Sequence, residues 1–417
     1  MTNGVAIGID VGTSGVRAAL VDADGAPVAW GEAKLPAEVR REPEAWCRAV
    51  AAALDALRAG ADFSDVRAIA VDGTSGTVLP VDAAGVPLGP ASLYNDPADP
   101  ALVARVAAVA PAESAAHGAT SPLAKLLAMQ DVPGTAKVLH QADWIAGRLS
   151  GRFGASDENN ALKTGYDPVA RRWPDWLGAT GARRLVLPDV REPGTVVAPI
   201  TPDAATRFGL PRDARLVAGT TDGCAAFLAT GATEAGEGVT SLGSTLTIKL
   251  LSDVPVFAPR FGIYSHRLLG RWLPGGASNT GGAALARHFD PAAMARLSAG
   301  IDPARDSGLD YYPLPAPGER FPIADPALPP RESPRPARDE DFLHALLEGI
   351  ARVEALAYAR LVELGAPPLR RVRSVGGGAR NAAWTALRAR ILGVDLFPAR
   401  SEETAVGAAA LALRALR

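Results

Sequence analysis

The sequence predicts an α/β protein made of two related halves, and two observations support this fold class. First, strand-like and helix-like patterns alternate along the 417-residue chain. Glu44–Leu57 has apolar side chains at helical spacing, and the apolar run VRAIAVDG that starts at Val66 is typical of a buried strand. Second, a glycine turn follows a strand-like run at three places. The three turns are in GIDVGTSG (8–15), AVDGTSG (70–76) and SLGST (241–245).

The first of these turns predicts a β-hairpin. VAIGID (5–10) is an apolar run that ends in an acid, GTSG (12–15) has the residues of a tight turn, and VRAALVD (16–22) resumes as a strand. Dinucleotide-binding and P-loop folds require a strand, a glycine loop and a helix instead, and the Gly-x4-Gly-Lys-Ser/Thr motif does not occur in the chain. The opening therefore argues against both of those nucleotide-binding folds.

The third turn predicts the domain boundary. The segment GATEAGEG (231–238) interrupts the α/β pattern just before a strand, a glycine turn and a second strand begin again. We therefore expect an N-terminal domain over residues 1–230 and a C-terminal domain over residues 231–417.

Two further segments bear on packing. The proline-rich segment 307–341 is either a flexible linker or a long loop packed on a domain, and its aromatic residues Tyr311, Tyr312 and Phe321, with Ile323, favour the packed loop. The closing run TAVGAAALAL (404–413) is nearly all small residues and predicts a helix that packs tightly against a neighbouring element.

The composition excludes several classes of function. Hydrophobic residues make up 48% and charged residues 21% of the chain, which is typical of a soluble globular protein. The net charge of −2, without a basic block, argues against nucleic acid or an anionic membrane as the main partner. The N-terminus lacks a signal-peptide pattern, and no apolar run approaches the roughly 18 residues of a membrane span, so we expect a cytoplasmic protein. Cys47 and Cys224 belong to no cluster typical of zinc or of a disulfide framework.

The glycine turns are candidate phosphate-binding elements. A tight turn rich in Gly, Thr and Ser exposes backbone N–H groups that can surround phosphate oxygens. Asp10, directly before the first turn, is placed to hold a metal-bound water beside such a phosphate. One turn of this kind is more often only structural, but two in two halves can hold one triphosphate from opposite sides.

Asp222 is the candidate catalytic base. It follows a strand-like run that ends in Gly-Thr-Thr (219–221) and precedes a helical run of small residues. A carboxylate at a helix start is stabilised by the free N–H groups and by the helix dipole. The same donors keep it ionised and able to accept a proton at neutral pH, so the capping and catalytic interpretations are compatible.

The motif VGGGARN (375–381) joins a strand-like run to a helical run. Its three glycines either form the strand–helix turn, with Asn381 as the helix N-cap, or let a flat ligand approach the backbone closely.

Together these motifs resemble the FGGY family of carbohydrate kinases, within the actin-like ATPase superfamily. The order of the motifs carries the resemblance: the glycine turn after Asp10, GTTD before a helix of small residues, SLGST, GGASNTGG, GGGARN and the closing EETAVGAAALAL. The resemblance extends over nearly the whole chain. It implies two actin-like (ribonuclease H-like) domains with a nucleotide and sugar cleft between them. It also implies ATP and Mg²⁺ as cofactors and a sugar substrate, for a monomer or homodimer.

The resemblance assigns site residues by position. Asp222 matches the catalytic base of the family, and Asp10 the acid that holds Mg²⁺ through water. The first phosphate turn comprises Asp10, Gly12, Thr13 and Ser14, the second comprises Gly243, Ser244 and Thr245, and the adenosine-binding stretch includes Gly377, Gly378 and Asn381. Thr13 and Thr245 are both expected to face the triphosphate. The expected sugar contacts are Asp72, Ser75, Asn95, Asp96 and Asp222.

Two departures from the family bear on the substrate. Where xylulokinase-like members carry a Gln-Met-His-Gly type stretch, this chain has DGTSGT (72–77). Where they carry Trp-x-Asp-x-Arg, it has LYNDPAD (93–99), with Tyr94 in place of Trp and without the Arg. These features and the short chain resemble the pentulose-kinase branch associated with D-ribulose, and they weaken a glycerol or gluconate interpretation.

The implied function is ATP-dependent phosphorylation of the terminal hydroxyl of D-ribulose, giving D-ribulose 5-phosphate. D-xylulose, L-ribulose or another polyol is the alternative substrate. A non-catalytic actin-like sugar or nucleotide sensor is the alternative class of protein, and the intact Asp10, Asp222 and phosphate turns count against it.

Overall fold

The chain folds into two units and contains two six-stranded sheets, of which the first lies in the first unit and the second lies, except for most of its edge strand, in the second unit. The computed structural model describes residues 5–417. The first unit comprises the described residues up to Ala229 together with His266–Leu268 and Glu403–Arg417, and the second comprises Thr230–Ser265 and Leu269–Glu402. In the described part of the chain, no helix has the length and apolarity that a membrane crossing requires.

The elements of the chain up to Ala229 are β1 (Val5–Val11), β2 (Gly15–Val21), β3 (Pro27–Lys34), α1 (Pro43–Ala59), β4 (Val66–Gly73), β5 (Val78–Val81), α2 (Pro100–Val109), α3 (Pro122–Met129), β6 (Lys137–His140), α4 (Gln141–Ser150), β7 (Ala155–Asp157), α5 (Glu158–Leu162), α6 (Trp176–Ala179), β8 (Asp189–Arg191), β9 (Val196–Pro199), α7 (Pro202–Phe208), β10 (Arg215–Thr221) and α8 (Asp222–Ala229). The elements that follow are β11 (Glu237–Leu242), β12 (Leu246–Leu250), β13 (Ser265–Leu268), β14 (Arg271–Ser278), α9 (Gly282–Ala286), α10 (Pro291–Ser298), α11 (Asp339–Glu363), β15 (Arg371–Val375), α12 (Ala382–Leu392), β16 (Asp395–Pro398) and α13 (Thr404–Arg414).

The first sheet has the strand order β3-β2-β1-β4-β10-β9. β1 and β2 form the predicted antiparallel hairpin and β3 pairs antiparallel with β2, whereas β1, β4 and β10 run parallel to one another. These three central strands are almost completely buried because helices pack on both faces of the sheet. Parallel strands end at the same edge of a sheet, so the last residues of β1, β4 and β10 are neighbours.

The second sheet repeats this arrangement. Its order is β13-β14-β12-β11-β15-β16, and β11 pairs antiparallel with β12 and parallel with β15, as β1 does with β2 and β4. The run β14-β12-β11-β15-β16 therefore corresponds to β3-β2-β1-β4-β10. This correspondence confirms the prediction of an α/β protein with two related halves.

The last helix, α13, lies in the first unit, although the sequence assigned it to a domain over residues 231–417. It packs against β1 and α8, and the predicted tight packing is confirmed. A Cβ atom on Gly8 would lie 1.9 Å from the carbonyl oxygen of Ala405, and one on Gly407 would lie 1.8 Å from that of Ala225. Small residues on both sides allow this approach, which a division into contiguous domains does not anticipate.

The proline-rich segment packs on the second unit. Tyr311, Tyr312 and Phe321 are buried, and the Tyr312 hydroxyl donates to Glu319 Oε2 at 2.8 Å. The Tyr311 ring makes an edge contact with Phe342 of α11, with ring centroids 6.0 Å apart. The predicted packed loop is therefore confirmed, and the segment is not a flexible linker.

Candidate active site

Three acidic side chains lie at the carboxyl edge of the first sheet. Asp10 and Asp72 are paired positions on β1 and β4, and Thr220 of β10 is paired with Asp72 on its other side. Asp222 follows β10 directly as the first residue of α8. The sequence placed Asp72 among the sugar contacts, and the structure places it beside Asp10.

Asp10 and Asp72 form a buried carboxyl pair. Burial raises the pKa of Asp10 to about 6, and the negative charge of Asp222 acts in the same direction. Burial and the neighbouring Asp10 carboxyl raise the pKa of Asp72 well above its usual range. Among residues 5–417, no N–H or hydroxyl group donates a hydrogen bond to either oxygen of Asp72. Of the two carboxyl groups, Asp72 therefore holds its proton more tightly, and Asp10 is the one that ionises more readily.

Asp222 is half-buried at the start of its helix. Its Oδ1 accepts the N–H of Gly223 at 2.7 Å, which fixes the carboxylate at the helix terminus. Its negative charge raises the pKa of both Asp10 and Asp72, so the three carboxyl groups influence one another electrostatically. The position at the helix start agrees with both interpretations of Asp222, and its role as a base stays a prediction.

The first glycine turn is the tip of the β1–β2 hairpin. The Gly12 N–H donates to the Gly15 carbonyl oxygen at 3.0 Å and closes the turn. Thr13 is half-buried and Ser14 is exposed. In the described part of the chain, neither the side-chain hydroxyls nor the backbone N–H groups of these two residues donate a hydrogen bond. These donors are free for phosphate oxygens.

The second turn, at Gly243–Thr245, is the tip of the β11–β12 hairpin in the second unit. Ser244 and Thr245 are exposed, and the Ser244 carbonyl oxygen accepts the N–H of Ala283 at 2.9 Å. Gly281 supports the turn from behind with φ +130°, and a Cβ atom on it would lie 2.8 Å from the carbonyl carbon of Thr245. Only glycine combines that backbone conformation with that approach.

The third glycine motif lines a pocket of about 520 Å³ in the second unit, with mostly apolar side chains from α10, α11 and α12. A Cβ atom on Gly377 would meet nothing within 4 Å, whereas one on Gly378 would lie 2.4 Å from the Trp384 ring. Asn381 caps α12 by accepting the Trp384 N–H at 3.0 Å, and it donates to Ser298 Oγ at 2.8 Å. Gly377 thus leaves room for a flat ligand, while Gly378 and Asn381 serve the packing and the helix cap.

The predicted sugar contacts Ser75, Asn95 and Asp96 lie on two loops that are tied together. Thr77 Oγ1, on the loop after β4, accepts the N–H of Tyr94 at 3.0 Å. Ser75 is half-buried and Asn95 is exposed. Neither side chain makes a hydrogen bond to any residue from 5 to 417, so both are available to a ligand.

Asp96 is engaged by the protein itself. Arg41 forms a two-pronged ion pair with it, with Nη2 at 2.7 Å from Oδ1 and Nη1 against Oδ2. The Leu93 N–H also donates to Asp96 Oδ2 at 2.7 Å. The hydrogen bond from Arg41 lowers the pKa of Asp96. Asp96 therefore stabilises the loop that contains Leu93. Its cation is Arg41, which is distant in the chain, because the LYNDPAD stretch has no arginine of its own.

Sequence reasoning missed two residues of this region. Gln141 Oε1 accepts both the N–H and the hydroxyl of Thr74, at 3.1 and 2.8 Å, and holds the loop after β4. Lys125 is buried in α3, where burial lowers its pKa to about 8, and its Nζ donates to the Leu93 carbonyl oxygen at 2.5 Å. The available signal was a lysine within the apolar helical run PLAKLLAM, where a surface charge is unexpected.

Comparisons with known proteins agree with this architecture. Residues 5–115 match the N-terminal domain, and residues 241–416 the C-terminal domain, of the FGGY family of carbohydrate kinases. Xylulose kinase of Escherichia coli (strain K12) is 29% identical over 440 aligned residues, which cover 97% of this chain and 89% of that protein. Gluconokinase of Bacillus subtilis (strain 168) is 27% identical over 237 residues, which cover 52% of this chain and 46% of that protein. The crystal structure of xylulose kinase from Rhodospirillum rubrum superposes with a TM-score of 0.82 at 26% identity, covering 98% of this chain and 89% of that chain.

The paired hairpin sheets and the acids at the carboxyl edge define a protein of the actin-like ATPase fold. Both family models then identify it further: the chain belongs to the FGGY family of carbohydrate kinases.

Proposed function

We propose that this protein is an ATP-dependent pentulose kinase that transfers the γ-phosphate of ATP to the terminal hydroxyl of D-ribulose, giving D-ribulose 5-phosphate. The observation that carries the proposal is the position of Asp222 at a helix start, next to the Asp10–Asp72 pair. Phosphoryl transfer to an alcohol needs a base that orients the hydroxyl and receives its proton, and donors that stabilise the phosphate charge.

The chain's own residues account for each part of the reaction. Asp222 accepts the proton of the sugar hydroxyl as that oxygen attacks the γ-phosphorus in line. The new phosphorus–oxygen bond forms as the bond to the β-phosphate oxygen breaks, and ADP leaves. The free donors of Thr13 and Ser14 hold phosphate oxygens. Such a reaction depends on positioning and charge stabilisation more than on covalent chemistry by the protein.

The residues of the first unit are suited to a Mg²⁺ ion that arrives bound to the triphosphate of ATP. Within residues 5–417, no group of three or more His, Cys, Asp or Glu side chains could form a metal site on its own. Mg²⁺ is usually held by one or two carboxylates, with water and phosphate oxygens completing its shell. Asp10, the member of its pair that ionises more readily, would hold the ion through water. The ion would neutralise charge on the triphosphate.

The sugar preference follows from the two loops of the predicted sugar side. Ser75 and Asn95 offer a short hydroxyl and an amide, where the xylulokinase-like pattern has an imidazole. D-ribulose and D-xylulose differ only in the configuration at one hydroxyl-bearing carbon, so polar contacts must distinguish them. An epimer still carries its hydroxyl, and water can fill gaps, so we expect a preference of about 10-fold, or ~1.4 kcal/mol.

D-xylulose is the second candidate substrate, because a xylulose kinase is the relative that aligns with 97% of this chain. Steady-state kinetics on D-ribulose, D-xylulose, L-ribulose, L-xylulose and glycerol tests both candidates. We expect D-ribulose to have the highest kcat/KM. A higher kcat/KM for D-xylulose would show that D-ribulose is not the preferred substrate and would favour a D-xylulose kinase. If the protein binds nucleotide but none of the sugars causes release of ADP, the result would favour a sensor.

A further inference from the structure

Lys125 lies beside both loops of the predicted sugar side. A Cβ atom on Gly76 would lie 3.1 Å from Cγ of Pro122, the first residue of α3. Lys125 is three residues further along this helix, so it lies on the same face, near the Gly76 turn. Its Nζ donates to the carbonyl oxygen of Leu93 in the other loop. The ammonium group therefore lies where the two loops come together.

The ammonium group of Lys125 has more donors than the protein uses. A charged lysine has three N–H donors, and in the described part of the chain only the Leu93 carbonyl oxygen accepts one of them. Asp96, whose charge acts on Lys125, already binds Arg41 and the Leu93 N–H. Lys125 is only 4% exposed, which limits contact with bulk water. Buried polar groups are normally hydrogen-bonded. The other two N–H donors of Lys125 therefore need acceptors, and a ligand can supply them.

A second lysine acts electrostatically on Lys125. Besides burial, the charge of Lys163 lowers the pKa of Lys125. Lys163 is half-buried, and it makes no hydrogen bond or ion pair with residues 5–417. Lysine presents a compact charge with rotatable donors, unlike the planar fork of arginine. Positive charge of this kind favours a small ligand that is rich in oxygen acceptors.

We propose that Lys125 binds the keto end of the substrate and donates its two remaining N–H groups to the C1 hydroxyl and C2 carbonyl oxygens of an open-chain pentulose. This inference rests on the proposed function. Thr221, which precedes the base Asp222, pairs with Gly73 at the end of β4, whereas Pro122, one helical turn before Lys125, lies against Gly76, three residues further along that loop. The hydroxyl that receives phosphate lies at Asp222, so the opposite end of the sugar faces Lys125.

The test compares Lys125→Met with Lys137→Met. Lys137 is a matched control because it also donates to a backbone carbonyl, that of Leu187 at 2.8 Å, and burial also lowers its pKa. Loss of a charged hydrogen bond predicts that Lys125→Met raises KM for the preferred pentulose by about 10- to 100-fold. KM for ATP should stay unchanged, and Lys137→Met should match the wild type in both constants. An unchanged pentulose KM in a folded Lys125→Met protein would overturn the inference.

A substrate lacking one of the two oxygens separates binding from a purely structural role. Lys125→Met should lose less kcat/KM on the 1-deoxy analogue of the preferred pentulose than on the pentulose itself, because one of its two contacts is already missing. An equal loss on both sugars would mean that Lys125 only shapes the Leu93 loop. Lys125→Gln provides the same comparison if the Met variant does not fold. A wild-type protein that phosphorylates no pentulose would overturn both the proposed function and this inference. An active wild type with unaffected Lys125 variants would overturn this inference alone.

Discussion

Replacing Asp222 by Asn isolates the proposed base. Asn has nearly the same size, and its side-chain oxygen can still accept the Gly223 N–H that Asp222 Oδ1 accepts at 2.7 Å. The start of α8 should therefore keep its structure. The substitution also removes a negative charge that raises the pKa of Asp10, so Asp10 should become more fully ionised at neutral pH. The nucleotide side of the site should not weaken.

Turnover, by contrast, should fall steeply. General-base catalysis contributes typically about 10²–10⁴-fold. At about 1.36 kcal/mol per tenfold, this is roughly 2.7–5.4 kcal/mol of the activation barrier. The assay is ADP release coupled to NADH oxidation at saturating D-ribulose and ATP, with calorimetric binding of each ligand to the same protein.

Asp203→Asn is the matched control, because Asp203 is an exposed acid in the first turn of α7 in the same unit. It should behave as the wild type in every measurement. Near-normal turnover of Asp222→Asn would remove Asp222 from the chemical step. A fall in turnover accompanied by an equal loss of nucleotide binding would assign Asp222 to binding, and the mechanism above would be wrong.

Three further predictions concern packing, a buried ion pair and pH. Gly407→Ala should lower the free energy of unfolding by about 1–3 kcal/mol or more, because its Cβ would lie 1.8 Å from a backbone oxygen, whereas Gly178→Ala, with open space around it, should change the thermal midpoint little. Arg388→Met should cost about 3–5 kcal/mol in urea unfolding because it leaves the fully buried Glu354 carboxylate without its cation, and a smaller loss would indicate that water reaches the pair. The kcat/KM for the sugar should fall as pH rises through about 8, because the lowered pKa of Lys125 then costs the site a charged donor, and this fall should be absent in Lys125→Met.

The sequence by itself determined the local elements of this protein. The glycine turns after apolar runs predicted the β1–β2 hairpin and its counterpart at Gly243–Thr245, and the structure has both. The placement of Asp222 at the start of a helix was also evident from its neighbours. These features are set by backbone preferences and by apolar periodicity over a few residues, so a single segment contains the information.

Only the tertiary structure decided which segments meet. Asp72 was predicted as a sugar contact from its place in a glycine turn, and only the register of β1 and β4 shows that it is buried beside Asp10, where burial raises its pKa. Arg41 reaches Asp96 from 55 positions away, and no local pattern signals that pair. Likewise, α13 packs on the first sheet because Gly8 of β1 has no side chain that would collide with the helix backbone. Strand register, helix docking and long-range ion pairs depend on how buried surfaces fit one another, and residues far apart in the chain jointly determine that fit.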